Sequence, residues 1–251
     1  PLSISGILVG SFIAVYQGYW NPLIFSLALS TTLLFQILSN LANDLGDSLK
    51  GADNAERIGP MRAVQSGAIS KNAMKKAVIL TSVISFLSAG FLIYFGTKNL
   101  SVTSIYIYIG LAIASVLAAI TYTIGKKAYG YNGLGDLFVF VFFGLVSVMG
   151  VYPLFSDMLS WELVLPAVTI GFLSTAVLNL NNMRDRENDE KVGKRTLVVK
   201  LGAKNAKKYH FFLISTAFLS WILFLVLTKN WLGFISLIPA ILFIKHLVFV
   251  A

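Results

Sequence analysis

Eight long apolar runs separated by polar breaks decide what this chain of 251 residues can fold into. A helix needs about 20 apolar residues to cross the hydrocarbon core of a membrane. The chain is 57% hydrophobic and only 12% charged, with a mean hydropathy of +0.78, so an ordinary soluble domain is excluded. We predict an all-α, polytopic bundle of transmembrane helices. The predicted spans are 2–19, 22–42, 73–95, 102–123, 134–155, 163–180, 209–227 and 231–250.

The basic residues indicate how these spans are oriented. Of the 20 Lys and Arg, six lie between positions 50 and 76, two at 126 and 127, and nine between 184 and 208. These 17 residues all fall in the connections after spans 2, 4 and 6. Because basic residues concentrate on the cytoplasmic side of membrane proteins, we predict a multi-pass protein of the inner (cytoplasmic) membrane. Orientation alone explains any single Lys as well as a functional role does.

The Cys and His content excludes some kinds of metal site. The two ends of the sequence, in turn, are those expected of a trimmed chain. The sequence has no Cys, which excludes disulfides and thiolate metal sites, and its two His disfavour a zinc centre. It begins without Met inside an apolar run and stops inside another. We therefore expect one transmembrane domain, 1–251, that continues beyond both ends in the natural protein.

Two polar stretches, 40–53 and 179–195, hold most of the eleven acidic residues and directly follow spans 2 and 6. A carboxylate at the centre of a membrane helix costs about 2.5 to 3.5 kcal/mol, so acids near the hydrocarbon are functional by default. If the helices continue through these stretches, steps of three and four residues place each set on one face. The first set is Asn40, Asn43, Asp44 and Asp47, and the second is Asn182, Asp185 and Asp189.

Carboxylates and amides without Cys or His suit a hard cation, and Mg²⁺ typically combines one or two carboxylates with substrate phosphates. Basic neighbours fit a diphosphate, since Arg and Lys donate charge-assisted hydrogen bonds to phosphate oxygens. These neighbours are Arg57, Arg62, Lys194 and Arg195. The plain alternative is that both acidic stretches are solvated loop ends, but two clusters of similar pattern at similar depth favour a metal-diphosphate site.

The same strings carry a resemblance to a known family. Asn43-Asp44-x-x-Asp47 with Gly51-x-Asp53, and Asn182-x-x-Asp185-x-x-x-Asp189, resemble the paired aspartate motifs of the UbiA-type intramembrane prenyltransferases. The fuller strings resemble the branch that prenylates 1,4-dihydroxy-2-naphthoate in menaquinone synthesis. They are NLANDLGDSLKGADNAERIGPMRAVQSGAIS, YGYNGLGDLFVFVFFG and NNMRDRENDEKVGKRTLVVKLG.

The resemblance implies nine transmembrane helices around a central cavity, with cytosolic loops capping its polar end and a lateral opening for the lipid substrate. The ninth helix would follow Ala251. It also implies that Mg²⁺ is held by four aspartates, Asp44, Asp47, Asp185 and Asp189. Tyr122 would stabilise an allylic cation through its ring. The implied substrate-binding residues are Asn40, Asn43, Asp53, Arg57, Arg62, Lys126, Asn182, Lys194 and Arg195.

One loop departs from the naphthoate branch, which often has prolines where this chain has GKKAYGY at 125–131. Tyr122 and Lys126 there keep a Tyr-x-x-x-Lys spacing similar to that of the wider superfamily. Two smaller features have local explanations. Gly6-x-x-x-Gly10 indicates close helix packing. Asp136 is equally consistent with a cap of span 5 and with a place near the acceptor pocket.

The expected reaction is Mg²⁺-dependent transfer of a polyprenyl group to the naphthoate ring with loss of CO₂ and diphosphate. The expected partners are prenyl diphosphate, the aromatic acceptor and the lipid bilayer, with no nucleic acid; the oligomeric state is left open. One alternative is another aromatic acceptor such as 4-hydroxybenzoate. A more distant one is a secondary transporter, whose ion sites lie near the bilayer midplane rather than at helix ends.

Overall fold

The computed structural model describes residues 2–54 and 58–250, and across these residues it contains only helices and loops. Seven of the helices there are long and apolar enough to cross a membrane, and one shorter helix is also apolar. The predicted all-α, polytopic bundle is therefore confirmed. The main helices are α1 Leu2–Tyr16, α2 Pro22–Lys50, α3 Lys71–Gly96, α4 Val102–Thr121, α5 Gly135–Ser156, α6 Val164–Lys191, α7 Leu197–Leu227 and α8 Leu232–Val250.

Helices α2 and α6 continue well beyond the apolar runs that predicted them. The runs end at 42 and 180, whereas α2 ends at Lys50 and α6 at Lys191. Asn21 caps the start of α2 by accepting hydrogen bonds from two backbone N–H groups, and Pro22 fits the first helical position. Gly51 ends the helix in the left-handed conformation, with φ of 74°. Most of both acidic stretches thus lies on helical extensions, whereas Asp53, Lys194 and Arg195 lie in the connections that follow them.

Helix α5 lies against α1 and α6 and contains an unusual segment, Phe140–Met149, which is π-helical. The packing is close because glycines remove the side chains that would separate the backbones. A Cβ added at Gly6 or Gly10 would overlap α5, at Ser147 and Val148 respectively, so the predicted packing role of the Gly6-x-x-x-Gly10 motif is confirmed. A Cβ at Gly144 would lie 2.6 Å from the Cα of Gly171 in α6.

The connections at one end of the bundle position the site. After α4 the chain forms a short 3₁₀-helix, Tyr129–Asn132, and then Gly133 turns it into α5 with φ of 78°. A second connection, 51–70, joins α2 to α3, and a third, 192–196, joins α6 to α7. Helix α7 bends at Gly202, whose backbone has φ of 74° and ψ of 164°.

Candidate active site

A cavity of about 390 Å³ lies inside the bundle and is lined by α1 to α6 together with the 129–132 turn. Aromatic rings form part of its wall: Tyr129 stacks on Phe138 with centroids 3.9 Å apart, and Tyr122 meets Tyr129 edge-on at 5.3 Å. None of the described residues that line the cavity has a charged side chain. The chamber is thus suited to an apolar chain or an aromatic ring.

One face of α2 leads from this cavity to the first acidic cluster. Gln36, Asn40 and Asn43 line the cavity. Asp47 follows Asn43 by four residues, so it lies about 6 Å further along the helix axis. Asp44 and Asp47 are both buried, although neither lines the cavity. The helix therefore passes within about one turn from an uncharged chamber to a layer of charged side chains. We call the layer that contains Asp44, Asp47 and the side chains paired with them the charged layer.

The two acidic clusters meet in that charged layer through shared cations. Lys194 Nζ lies 3.6 Å from Asp47 Oδ2 on α2 and 3.6 Å from Asp189 Oδ1 on α6. Arg62, in the connection after α2, lies 3.6 Å from Asp47 and 3.4 Å from Asp53. We call Asp47, Asp53, Asp189, Arg62 and Lys194 the bridged cluster. From the sequence we expected two facing clusters to form one metal-diphosphate site, and in the structure the ion pairs of Lys194 join side chains of both clusters.

Hydrogen bonds between the connections hold the bridged cluster together. Asn188 Nδ2 donates to the Ala52 carbonyl at 2.9 Å, which ties α6 to the end of α2. The Arg195 N–H donates to the Tyr131 carbonyl at 3.1 Å. Lys200 Nζ donates to the Asn132 carbonyl at 2.6 Å. These three hydrogen bonds tie the end of α6 to the end of α2, and tie the 192–196 connection and the start of α7 to the 129–132 turn, so the charged side chains are held in place.

Tyr131 is a member of this layer that sequence reasoning missed. Its hydroxyl donates to Asp47 Oδ1 at 2.8 Å, and Lys50 Nζ lies 3.9 Å from its ring centroid. Burial, together with the negative charge and hydrogen bond of Asp47, raises the pKa of Tyr131 well above its usual range, so the hydroxyl stays a donor. Tyr131 is 84 residues from Asp47 in sequence. In the sequence, only its position in the YGYNGLGD string, which resembles the family, indicated that Tyr131 could lie at the site.

The four aspartates predicted to bind metal have different surroundings. Asp47 and Asp189 belong to the bridged cluster. Asp185 instead accepts two short hydrogen bonds from its neighbour Arg184, at 2.8 and 2.7 Å. Asp44 is 9% exposed, and its Oδ1 has no hydrogen-bond partner among the described residues.

The other predicted residues divide between the cavity, the charged layer and the surface. Tyr122, Asn40 and Asn43 line the cavity. Asn182 is buried outside it, whereas its neighbour Asn181, which was not singled out, lines it. Lys126 and Arg195 are exposed and form no ion pair with any carboxylate in the described ranges. Arg57 lies outside the residues that the structure describes.

Asp136 does not cap the start of α5, and its proposed role near the acceptor pocket stays a prediction. The residue that precedes α5 is Leu134, and Asp136 lies in the first turn of that helix. A carboxylate there is favourably placed, because the N-terminal end of a helix carries partial positive charge. Asp136 is 5% exposed but does not line the cavity. It therefore stands behind the cavity wall.

The donor set of the charged layer fits Mg²⁺ only together with a substrate phosphate. Within 2–54 and 58–250, no group of three or more Asp, Glu or His forms a complete protein-only metal site. Mg²⁺ rarely needs one, since phosphates and water usually complete its shell. Asp44 Oδ1 and Asp189 Oδ2 are buried oxygens without hydrogen-bond partners. Such atoms are costly unless a ligand supplies the missing contact.

Comparison with known proteins gives a consistent result. Residues 3–251 match the UbiA prenyltransferase family. A 1,4-dihydroxy-2-naphthoate octaprenyltransferase of Haemophilus influenzae is 46% identical over 257 residues, covering 100% of this chain and 82% of the relative. The Escherichia coli protein of the same name is 45% identical, covering 98% and 80%. The Mycobacterium tuberculosis protein of that name is 32% identical, covering 90% and 74%.

Proposed function

The chain belongs to the UbiA prenyltransferase family, and we propose that it transfers a polyprenyl group from prenyl diphosphate to 1,4-dihydroxy-2-naphthoate. The acceptor is that of relatives 45% and 46% identical over almost the whole chain. The products would be demethylmenaquinol, diphosphate and CO₂. The observation that carries the proposal is the contact between a charged layer and an uncharged chamber. Family membership sets aside the transporter alternative.

The charged layer would hold the diphosphate. Lys194 contacts carboxylates of both α2 and α6, and Arg62 contacts Asp47 and Asp53. The N–H groups of both residues can donate to phosphate oxygens. The carboxylates proposed to hold Mg²⁺ are Asp44, Asp47, Asp185 and Asp189. When bound, Mg²⁺ neutralises charge on the departing diphosphate. The fixed positions of these side chains mean that little reorganisation is needed as that charge develops.

The chamber would hold the prenyl chain and keep water from the reacting carbon. Departure of diphosphate leaves an allylic cation, which water would destroy. Tyr122 lines the chamber, and the face of an aromatic ring attracts a cation. The stacked pair Tyr129 and Phe138 extends this wall. The apolar wall lies beside the charged layer. This supports a reaction in which diphosphate departs in the charged layer and the carbon–carbon bond forms in the adjacent chamber.

We place the charged layer at the cytoplasmic face of the inner membrane. The support is the distribution of basic residues, since 17 of 20 lie in the connections after spans 2, 4 and 6. The bridged cluster draws Arg62 and Lys194 from two of these connections. Both substrates would then reach the site from the cytoplasmic side or from the lipid.

The proposed reaction is tested by following the carboxyl carbon. Purified protein, Mg²⁺, a prenyl diphosphate and 1,4-dihydroxy-2-naphthoate labelled at the carboxyl carbon should release one labelled CO₂ per prenyl group transferred. Retention of the label in the product would refute the proposed acceptor chemistry. A higher kcat/KM for 4-hydroxybenzoate would instead support the alternative acceptor.

A further inference from the structure

Three amide side chains form the part of the chamber nearest the charged layer. Asn40 and Asn43 come from α2, and Asn181 comes from α6. The hydroxyl of Thr123 donates to the Ala42 carbonyl at 2.9 Å and lies 3.4 Å from Asn43 Oδ1. The Asn43 amide also carries two N–H donors. We call Asn40, Asn43 and Asn181 the amide layer. It contains hydrogen-bond donors but no formal charge.

The position of the reacting carbon follows from the two layers. In a prenyl diphosphate, the electrophilic carbon is bonded directly to a diphosphate oxygen. With the diphosphate in the charged layer, this carbon projects toward the chamber and enters the amide layer, since Asn43 and Asp47 are about 6 Å apart along α2. The acceptor carbon must approach within about 3 to 3.5 Å of it. The acceptor ring therefore lies among the amides.

We propose that the amide layer binds the carboxylate edge of the acceptor as an uncharged hydrogen-bonding site, with no cation paired to that carboxylate. The inference rests on the proposed function, because it assumes an aromatic acceptor whose carboxylate leaves. Two cations of the adjacent layer, Lys194 and Arg62, are held by Asp47, Asp53 and Asp189. The binding site is thus selective for the carboxylate's shape and acceptor atoms rather than its charge.

An uncharged site suits this reaction for a definite chemical reason. The bond between the prenyl carbon and the diphosphate oxygen breaks, and its electron pair leaves with diphosphate. The ring carbon that carries the carboxylate then bonds to the prenyl carbon. Next, the bond from ring to carboxylate breaks, its electron pair restores the aromatic ring, and CO₂ departs. No external base, oxidant or reductant is required.

During that last step the negative charge of the carboxylate disappears. A cation paired with it would stabilise the bound substrate more than the transition state, and this would slow the step. Neutral amides also bind the carboxylate, but less binding free energy is lost when the carboxylate becomes CO₂. The amide layer therefore contributes binding without a large penalty on decarboxylation.

The decisive experiment compares equilibrium binding of the acceptor with that of its carboxamide, 1,4-dihydroxy-2-naphthamide, without prenyl diphosphate. A neutral site should bind the two within about tenfold of each other, since each hydrogen bond contributes only about 0.5 to 1.5 kcal/mol. A site built on an ion pair would bind the carboxamide roughly 100-fold more weakly or worse. The latter result would overturn the proposal.

A variant locates the site. Asn181→Leu keeps the side-chain size but removes the amide, and it should raise the dissociation constant of the acceptor about tenfold. Binding of Mg²⁺ with inorganic diphosphate should be unchanged, which shows that the variant is folded. The matched control is Asn205→Leu, because Asn205 is exposed on α7 and does not line the cavity. Equal acceptor binding by Asn181→Leu and the control would contradict the proposal.

Failure of the inference and failure of the proposed function give different results. If the wild-type protein releases labelled CO₂ but binds the carboxamide poorly, the function stands and the uncharged site is wrong. If it prenylates another aromatic acid and retains the carboxyl label, the proposed function fails first.

Discussion

Asp47 is contacted from three directions, and this shows how single side chains organise the site. It receives a hydrogen bond from Tyr131, and it pairs with Arg62 and Lys194 at 3.6 Å each. Its side chain is only 4% exposed. A buried carboxylate with fixed partners keeps its orientation, which a group that binds metal and diphosphate requires.

Two substitutions of Tyr131 distinguish the contribution of its hydroxyl from that of its ring. Tyr131→Phe removes the donor to Asp47 but keeps the ring beneath Lys50, so kcat/KM should fall by about tenfold. Tyr131→Leu should lose more, because it also removes the cation–π contact with Lys50. Steady-state kinetics with prenyl diphosphate as the varied substrate measure both. Tyr106→Phe, at an exposed position on α4, is the control, and equal activity of the two Phe variants would contradict this role.

Removing one aspartate from each cluster tests whether they act as one unit. Asp44→Ala and Asp185→Ala should each abolish turnover, and the double variant should be scarcely worse, since residues that act together are not additive. Excess EDTA should silence the wild-type protein, and added Mg²⁺ should restore it. Glu187→Ala, on the same stretch of α6 but 84% exposed, should keep its activity. Full activity in EDTA would contradict the metal site.

Some of these residues were accessible to sequence reasoning and others were not. Steps of three and four residues identified the aspartates because helical periodicity is a local property. Lys194 was predicted from its basic charge, whereas Tyr131 was not. Both reach Asp47 from distant parts of the chain, and spacing does not encode such contacts. Lys50 follows Asp47 by three residues, so periodicity places it near the site, but its basic charge was explained by topology alone. Lys126 was expected at the site; it is exposed and pairs with no carboxylate of the described residues, so its role stays a prediction.

At the scale of helices, features that depend on the local sequence were predictable, and features that depend on contacts between distant parts of the chain were not. Hydropathy located the apolar core of α2 and α6 but ended both too early, because it reports contact with lipid rather than backbone hydrogen bonding. The π-helical segment of α5 has no signature in the apolar pattern. It lies where Gly144 and Gly171 bring two backbones together, which is a tertiary contact.

Two Gly→Ala substitutions test that contact against a matched control. At Gly144 the new methyl group would lie 2.6 Å from the Ala167 carbonyl oxygen and from Gly171 Cα, so the free energy of unfolding should fall by about 1 to 3 kcal/mol. At Gly110, exposed on α4, nothing lies within 4 Å of the methyl group. Ala there should raise stability by up to about 1 kcal/mol, because it has the higher helix propensity. Thermal unfolding in detergent measures both, and equal shifts would contradict close packing at Gly144.

At the scale of the whole molecule, the sequence predicted fold class and family well because both depend on long patterns. Apolar runs of membrane length recur along the chain, and three extended strings stand in family order. The spatial joining of α2 to α6 was less accessible, since it depends on loop contacts such as that between Asn188 and Ala52. These contacts turn two similar clusters into a single layer.

The proposed orientation can be tested directly because the chain has no native Cys. Single cysteines at Ser66 and Lys204 should react with a membrane-impermeant reagent only from the cytoplasmic face, and one at Asp157 only from the opposite face. All three positions are exposed. Labelling of the Ser66 and Asp157 positions from the same side would refute the proposed arrangement of spans.

The double ion pair of Lys194 also has a consequence for how the chain is made. Ribosomes add about 5 to 20 residues per second, so on the order of ten seconds separate the synthesis of Asp47 from that of Lys194. During this interval α2 is already available for insertion while its later partners do not yet exist. Arg62 follows only a short distance behind and pairs with both Asp47 and Asp53. Arg62 can therefore neutralise the charge of Asp47 in the newly made α2 until Lys194 has been synthesised.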